Sequence, residues 1–153
     1  MDAPTLDPEP ALLRGRTSAH WVLLGSALFI AIGFVVLGRF ISPDERGFGT
    51  HERLGMPPCR MLQWSGVPCP GCGVTTSVSL AANGRFLDSI ANQPFGFVCA
   101  LLALAFCAWA FWNAAHRRDL GLVARTMRMR PWVRPLIVIA TLSWIYKIVR
   151  TLS

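Results

Sequence analysis

The sequence predicts an all-α integral membrane protein with three transmembrane helices and short interfacial helices in a long first loop. Two observations carry this. In 153 residues, 53% are apolar and only 15% are charged, where a soluble domain has about 25% charged residues. The apolar residues also fall into three blocks separated by arginine-bearing segments, as in a polytopic membrane protein. This organisation excludes an ordinary soluble enzyme and an intrinsically disordered protein. It also argues against a nucleic-acid partner, which the net charge of +7 would otherwise invite.

Residues 1–19, with Pro4, Pro8 and Pro10, are expected to form a disordered tail. Residues 20–153 make up a single membrane domain. The first span, near 20–40, is charge-free from Trp21 to Gly38 and closes at Arg39. Its apolar stretch exceeds the usual 7–15 residues of a secretory leader, so a retained anchor is the better reading. The second span, near 94–113, starts at Pro94 and ends before His116, Arg117 and Arg118. The third, near 131–149, carries Arg134 and Lys147 towards its ends. Both are expected to snorkel, with Trp132, Trp144 and Tyr146 in an interfacial belt.

The loop 114–130 contains Arg117, Arg118, Arg125, Arg128 and Arg130 against one acid, Asp119. So basic a connection is expected to stay in the cytoplasm, with the N-terminus. The loop 41–93 then faces outward from the cytoplasmic (inner) membrane. Lys147 and Arg150 disagree, because three spans place the C-terminus outside; a two-span hairpin would remove that conflict. Leu120, Val123, Ala124 and Met127 share one helical face of the basic loop, which reads as a topology determinant beside anionic headgroups.

In the second span, Gly96, Ala100, Ala103, Cys107, Ala110 and Ala114 recur at spacings of four and three and line one stripe. Small residues let another helix approach closely. The stripe therefore meets the first span, with its Ala27, Ala31 and Gly38, or forms a seam between copies of the chain. Cys99 and Cys107 read as small filling residues. His20 and His116 sit at membrane borders, where an amphipathic ring is expected.

The loop 41–93 holds the one constellation with chemistry in it. Cys59 precedes Cys69-Pro70-Gly71-Cys72-Gly73 by ten positions, and a helix is expected over 74–83, ending at Asn83-Gly84 with Gly84 left-handed. Another short helix is expected over 86–92. Pro70 restricts one φ, while Gly71 and Gly73 tolerate positive φ, so two sulfurs are held on one side of a turn. Three chemistries remain open. The turn could be half of a zinc site completed by Cys59 and His51. It could be a redox pair activated by the following helix N-terminus. Or it could hold a structural disulfide, which an oxidising compartment favours. Because the C-x₂-C ring is small and strained, a bridge from Cys59 to either Cys69 or Cys72 is the expected pairing.

The string Cys59 … Gly66-x-x-Cys69-Pro70-x-Cys72-Gly73-x-Thr75, with Gly84 and Asn92-x-Pro94 before a span, resembles the domain-of-unknown-function family 2752 of small bacterial membrane proteins. The resemblance runs from Cys59 to the second span. It implies a membrane location and this order of loop and spans, and no activity. Many relatives carry Arg after that Thr and Asp after the Gly, where this chain has Thr76 and Arg85; no Arg–Asp pair is implied here. With no set of acid, base and nucleophile in view, the leading expectation is a non-enzymatic membrane component that contacts other membrane proteins or itself. The alternatives are a membrane thiol–disulfide oxidoreductase and a zinc-binding membrane protein.

Overall fold

The structure is a computed structural model and describes residues 16–126 and 130–152. Most of the expected tail 1–19 lies outside the described residues, as do Met127 and Arg128 of the basic loop. Seven α-helices are described, in the order α1 Ser18–Arg39, α2 Arg60–Ser65, α3 Val74–Ala82, α4 Phe86–Asn92, α5 Pro94–Ala115, α6 Leu120–Thr126 and α7 Arg130–Leu152. A 3₁₀ turn covers Glu52–Leu54.

Three of these helices, α1, α5 and the stretch Pro131–Leu152 of α7, are long and apolar enough to cross a membrane. At about 1.5 Å per residue, each covers the ~30 Å of hydrocarbon. Their large side chains point away from the protein: Trp21, Phe29, Val35, Leu102, Trp112, Ile137 and Leu142 are all exposed. In water that surface would be a severe liability. In a bilayer it faces lipid.

What packs inside is small. Gly96, Ala100, Cys107 and Ala110 of the stripe are buried, with Ala103 and Ala114 partly so. Ala27, Cys107, Ala110 and Leu120 form the core where α1 meets α5, and the Cys107 thiol donates to the Ala27 carbonyl. The stripe thus serves contacts within the chain. A Cβ at Gly96 would lie 2.6 Å from the Ser77 Cβ, and one at Gly38 would lie 2.7 Å from the Ala82 carbonyl oxygen. Glycine is required at both positions for α3 to lie against α1 and α5.

The short helix α3 is the hub of one end of the bundle, packed on α1, α4 and α5. It was expected at the interface, yet Thr76, Ser77, Ser79, Leu80 and Ala81 are buried. Its hydroxyls make this burial tolerable. Ser77 and Ser89 exchange hydrogen bonds with each other's carbonyl, at 3.1 and 2.7 Å, and Ser79 donates to the Ile41 carbonyl. The departure at Thr76 is accommodated by a 2.9 Å hydroxyl contact with Thr50. Arg85 pairs with Asp88 on the exposed side of α4.

The opposite end is closed by Asp119, the lone acid of the basic loop. Its carboxylate accepts from the Thr17 hydroxyl and backbone N–H and from the Leu122 N–H, tying the starts of α1 and α6 together. His20 is not an interfacial ring: it is buried and its Nδ1 accepts the Leu120 N–H. Burial opposes ionisation of Asp119, but the donors from Thr17, Leu122 and Gly121 outweigh it and hold the carboxyl below its ordinary value. A depressed folded pKa contributes stability above the unfolded value near pH ~4, and that stability is lost as pH falls through the folded pKa. Thermal melts of detergent-purified protein should therefore drop below about pH 4. In Asp119→Asn that acid limb should be flatter, and equal limbs would remove Asp119 from the account.

α7 docks on the other end. The Ser143 hydroxyl accepts the Phe95 N–H at 3.0 Å, and the Trp144 indole donates to the Pro68 carbonyl at 2.9 Å. Tyr146 and Arg150 both donate to the Ala91 carbonyl. Lys147 does not snorkel: it is 4% exposed and reaches into the loop. The C-terminal cations that oppose the topology in sequence are thus occupied by tertiary contacts with the loop. Residues 41–93 and the C-terminal end of α7 share one end of the bundle, and Thr17 and Asp119 mark the other.

Candidate metal centre

Cys59, Cys69 and Cys72 converge at the loop end of the bundle, with all three sulfurs within 4.8 Å of one another. Three local structures achieve this. The knuckle is a tight turn closed by the Cys72 N–H donating to the Cys69 carbonyl at 2.9 Å and by Val74 N–H to Gly71 O. Gly73 carries the positive φ, 87°, and a Cβ there would meet the Gly47 carbonyl oxygen at 2.8 Å. Gly71, expected to share that role, is not among the positive-φ glycines. Gly84 takes the left-handed conformation after α3, φ 76°.

The second structure is α2, a helix that the sequence pattern does not predict. Cys59 is its N-cap and Gly66, φ 69°, ends it. This single turn and a half aims Cys59 back at the knuckle. The third is the Asn92-Gln93-Pro94 corner before α5. The Asn92 amide donates to the Gly73 carbonyl at 3.1 Å and to the Ser77 hydroxyl at 3.0 Å, while its oxygen accepts from Lys147. The Gln93 amide donates to the Pro70 carbonyl at 3.1 Å. The corner therefore staples the knuckle to the start of the second span.

The thiols differ in character. For Cys59, burial opposes ionisation, but the nearby Leu62 backbone N–H and the neighbouring thiols outweigh it and bring it down to about 7. For Cys72, burial and then the adjacent sulfurs push it up to about 12.

No two sulfurs stand at disulfide distance in this structure. All five cysteines are free thiols, and Cys69 and Cys72 lie 3.3 Å apart, against ~2.05 Å for a disulfide. With three sulfurs meeting at one point, pairing any two would exclude the third. His51 is not part of the cluster, which consists of the three cysteines alone among the described residues. It instead precedes the 3₁₀ turn. Cys99 and Cys107 lie in α5, away from it. A polar cleft of about 630 Å³, lined by Arg46, Arg85, Asp88, Asn92, Lys147 and Arg150 among others, contains no cysteine. The thiol chemistry lies outside it.

Fold and site together define a polytopic helical membrane protein that presents a three-thiol knuckle at one end of its bundle. Residues 59–107 match the family described as protein of unknown function (DUF2752). That stretch holds all three thiols, the Asn92-Gln93-Pro94 corner and the buried stripe as far as Cys107. No curated protein and no solved structure matches the chain.

Proposed function

We propose that the protein is a small non-enzymatic component of the cytoplasmic membrane whose outward loop is organised by a zinc-type ion held by Cys59, Cys69 and Cys72. The convergence of the three sulfurs supports this reading. Around a tetrahedral ion with metal–sulfur bonds of ~2.3 Å, sulfurs lie ~3.8 Å apart, and three within 4.8 Å of one another fit after small adjustments. Binding a divalent ion replaces three S–H bonds by three S–metal bonds and releases three protons. The ion would tie α2, the knuckle and the corner before α5 into one unit, in a loop with few apolar residues of its own. That end of the bundle is then a rigid face for partner membrane proteins.

A thiol–disulfide oxidoreductase is the second reading. It is favoured by the 3.3 Å approach of Cys69 and Cys72 and by a Cys59 thiol brought down to about 7. Labelling intact cells with membrane-impermeant maleimide separates the two and tests the topology. Loop thiols that react only after chelator are the expected result. Release by reductant alone would favour the redox reading. Labelling only after permeabilisation would place the loop inside and invert the orientation. Three thiols reactive without either treatment would overturn both readings.

A further inference from the structure

We infer that Lys147 of α7 is the counter-charge of the metal-loaded thiolate knuckle, so that metal binding and the seating of the third span are coupled. This rests on the metal reading above. Lys147 is the sole lysine of the chain and is 4% exposed. Among the described residues its ammonium donates to two neutral acceptors, the Gly47 carbonyl at 3.0 Å and the Asn92 side-chain oxygen at 2.9 Å. Among the described residues, the carboxylates in ion pairs are Asp44, Glu52 and Asp88, each with an arginine, and none pairs with Lys147. A buried ammonium without an anion is costly.

The knuckle is next to it. A Cβ at Gly73 would lie 3.2 Å from the Lys147 Cε, and the residue before Gly73 is Cys72. Three thiolates and one divalent ion sum to a net charge of −1. The loaded centre therefore supplies one negative charge, and Lys147 the matching positive one.

Coupling follows from where α7 is attached. Its hydrogen bonds to the rest of the chain come from Ser143, Trp144, Tyr146, Lys147 and Arg150. Trp132, Val133, Ile137, Val138 and Leu142, further towards its start, are exposed. Whatever strengthens the Lys147 contact seats α7, and by reciprocity a seated α7 raises the affinity for metal.

The test uses the full chain in detergent, titrated with Zn²⁺ against a chelator, for wild type, Lys147→Met and Lys147→Arg. Lys147→Met should bind Zn²⁺ about 10- to 100-fold more weakly, the range for partners just outside a metal's ligands. Lys147→Arg should stay within a few-fold of wild type. The melting difference between wild type and Lys147→Met should be larger with Zn²⁺ bound than without it, because only the loaded centre carries the negative charge that Lys147 offsets. In the Co²⁺-loaded proteins, the thiolate-to-cobalt absorption band should move in Lys147→Met and not in Lys147→Arg. Equal Zn²⁺ affinity in wild type and Lys147→Met would overturn the inference while leaving the metal reading intact. Equal weakening in Met and Arg variants, with an unmoved cobalt band, would reduce Lys147 to a packing residue and overturn it too. A wild type that binds no Zn²⁺ would overturn the metal reading itself.

Discussion

Cys72→Ser should purify with less than about a tenth of an ion per chain, where the wild type carries about one, because a structural site assembled from few ligands loses its ion when a thiolate is lost. Cys72 is the choice because it is the most deeply buried of the three, at 3% exposed, and is shared by the knuckle turn and the contact with Cys69. The same variant should lose the chelator-sensitive part of the thermal melt, since binding free energy that selects the folded loop is folding free energy. Elemental analysis and paired melts with and without chelator check both statements. Cys99→Ser is the control: Cys99 lies in α5 outside the cluster, and its metal content should match wild type. Full metal content in Cys72→Ser would remove the knuckle from the site.

Asn92→Ala should be strongly destabilising although it touches no thiol. Asn92 makes three buried hydrogen bonds, donating to the Gly73 carbonyl and the Ser77 hydroxyl and accepting from Lys147. Truncation removes one hydrogen bond from each of three partners, one of them charged, while each keeps another: the Gly73 carbonyl still accepts the Ser77 N–H, Ser77 still donates to Ser89, and Lys147 to Gly47. At roughly 1 kcal/mol for each neutral hydrogen bond and somewhat more for the one to the charged Lys147, the loss should be about 3 kcal/mol. Asn83→Ala, which removes donation to Ser79 and Leu37 at a more exposed position, should cost about 1 kcal/mol. Denaturation of the detergent-solubilised proteins gives the comparison, and an Asn92→Ala as stable as Asn83→Ala would refute the stapling role.

The elements legible in the sequence are those whose signals are local. A charge-free apolar run needs no partner to be read as a span, and α1, α5 and α7 lie within a few residues of the expected 20–40, 94–113 and 131–149. The helices over 74–83 and 86–92 were readable because Gly73, Gly84 and Pro94 punctuate the chain. The helix α2 was not: six residues give too little periodicity, and its Trp64, 87% exposed, buries nothing that would mark a face. His20 reads as an interfacial ring because a lone ring at a span's end has no partner in sequence. Its acceptor role depends on the Leu120 N–H, 100 positions away.

By itself, then, the sequence determined the membrane class, the number of long apolar helices, the small-residue stripe and the knuckle turn, all set by residues close along the chain. Tertiary structure alone decided that Cys59 joins Cys69 and Cys72, and that His51 does not. It also decided that the stripe closes on α1 and α3, and that Lys147 and Arg150 are spent on the loop at their own end of the bundle. The physical reason is that a sulfur's neighbours and a buried charge's partner are properties of where helices meet. Spacing along the chain constrains a turn of a few residues, but it leaves open which distant carbonyl, amide or thiolate will be waiting when α7 folds back onto the loop.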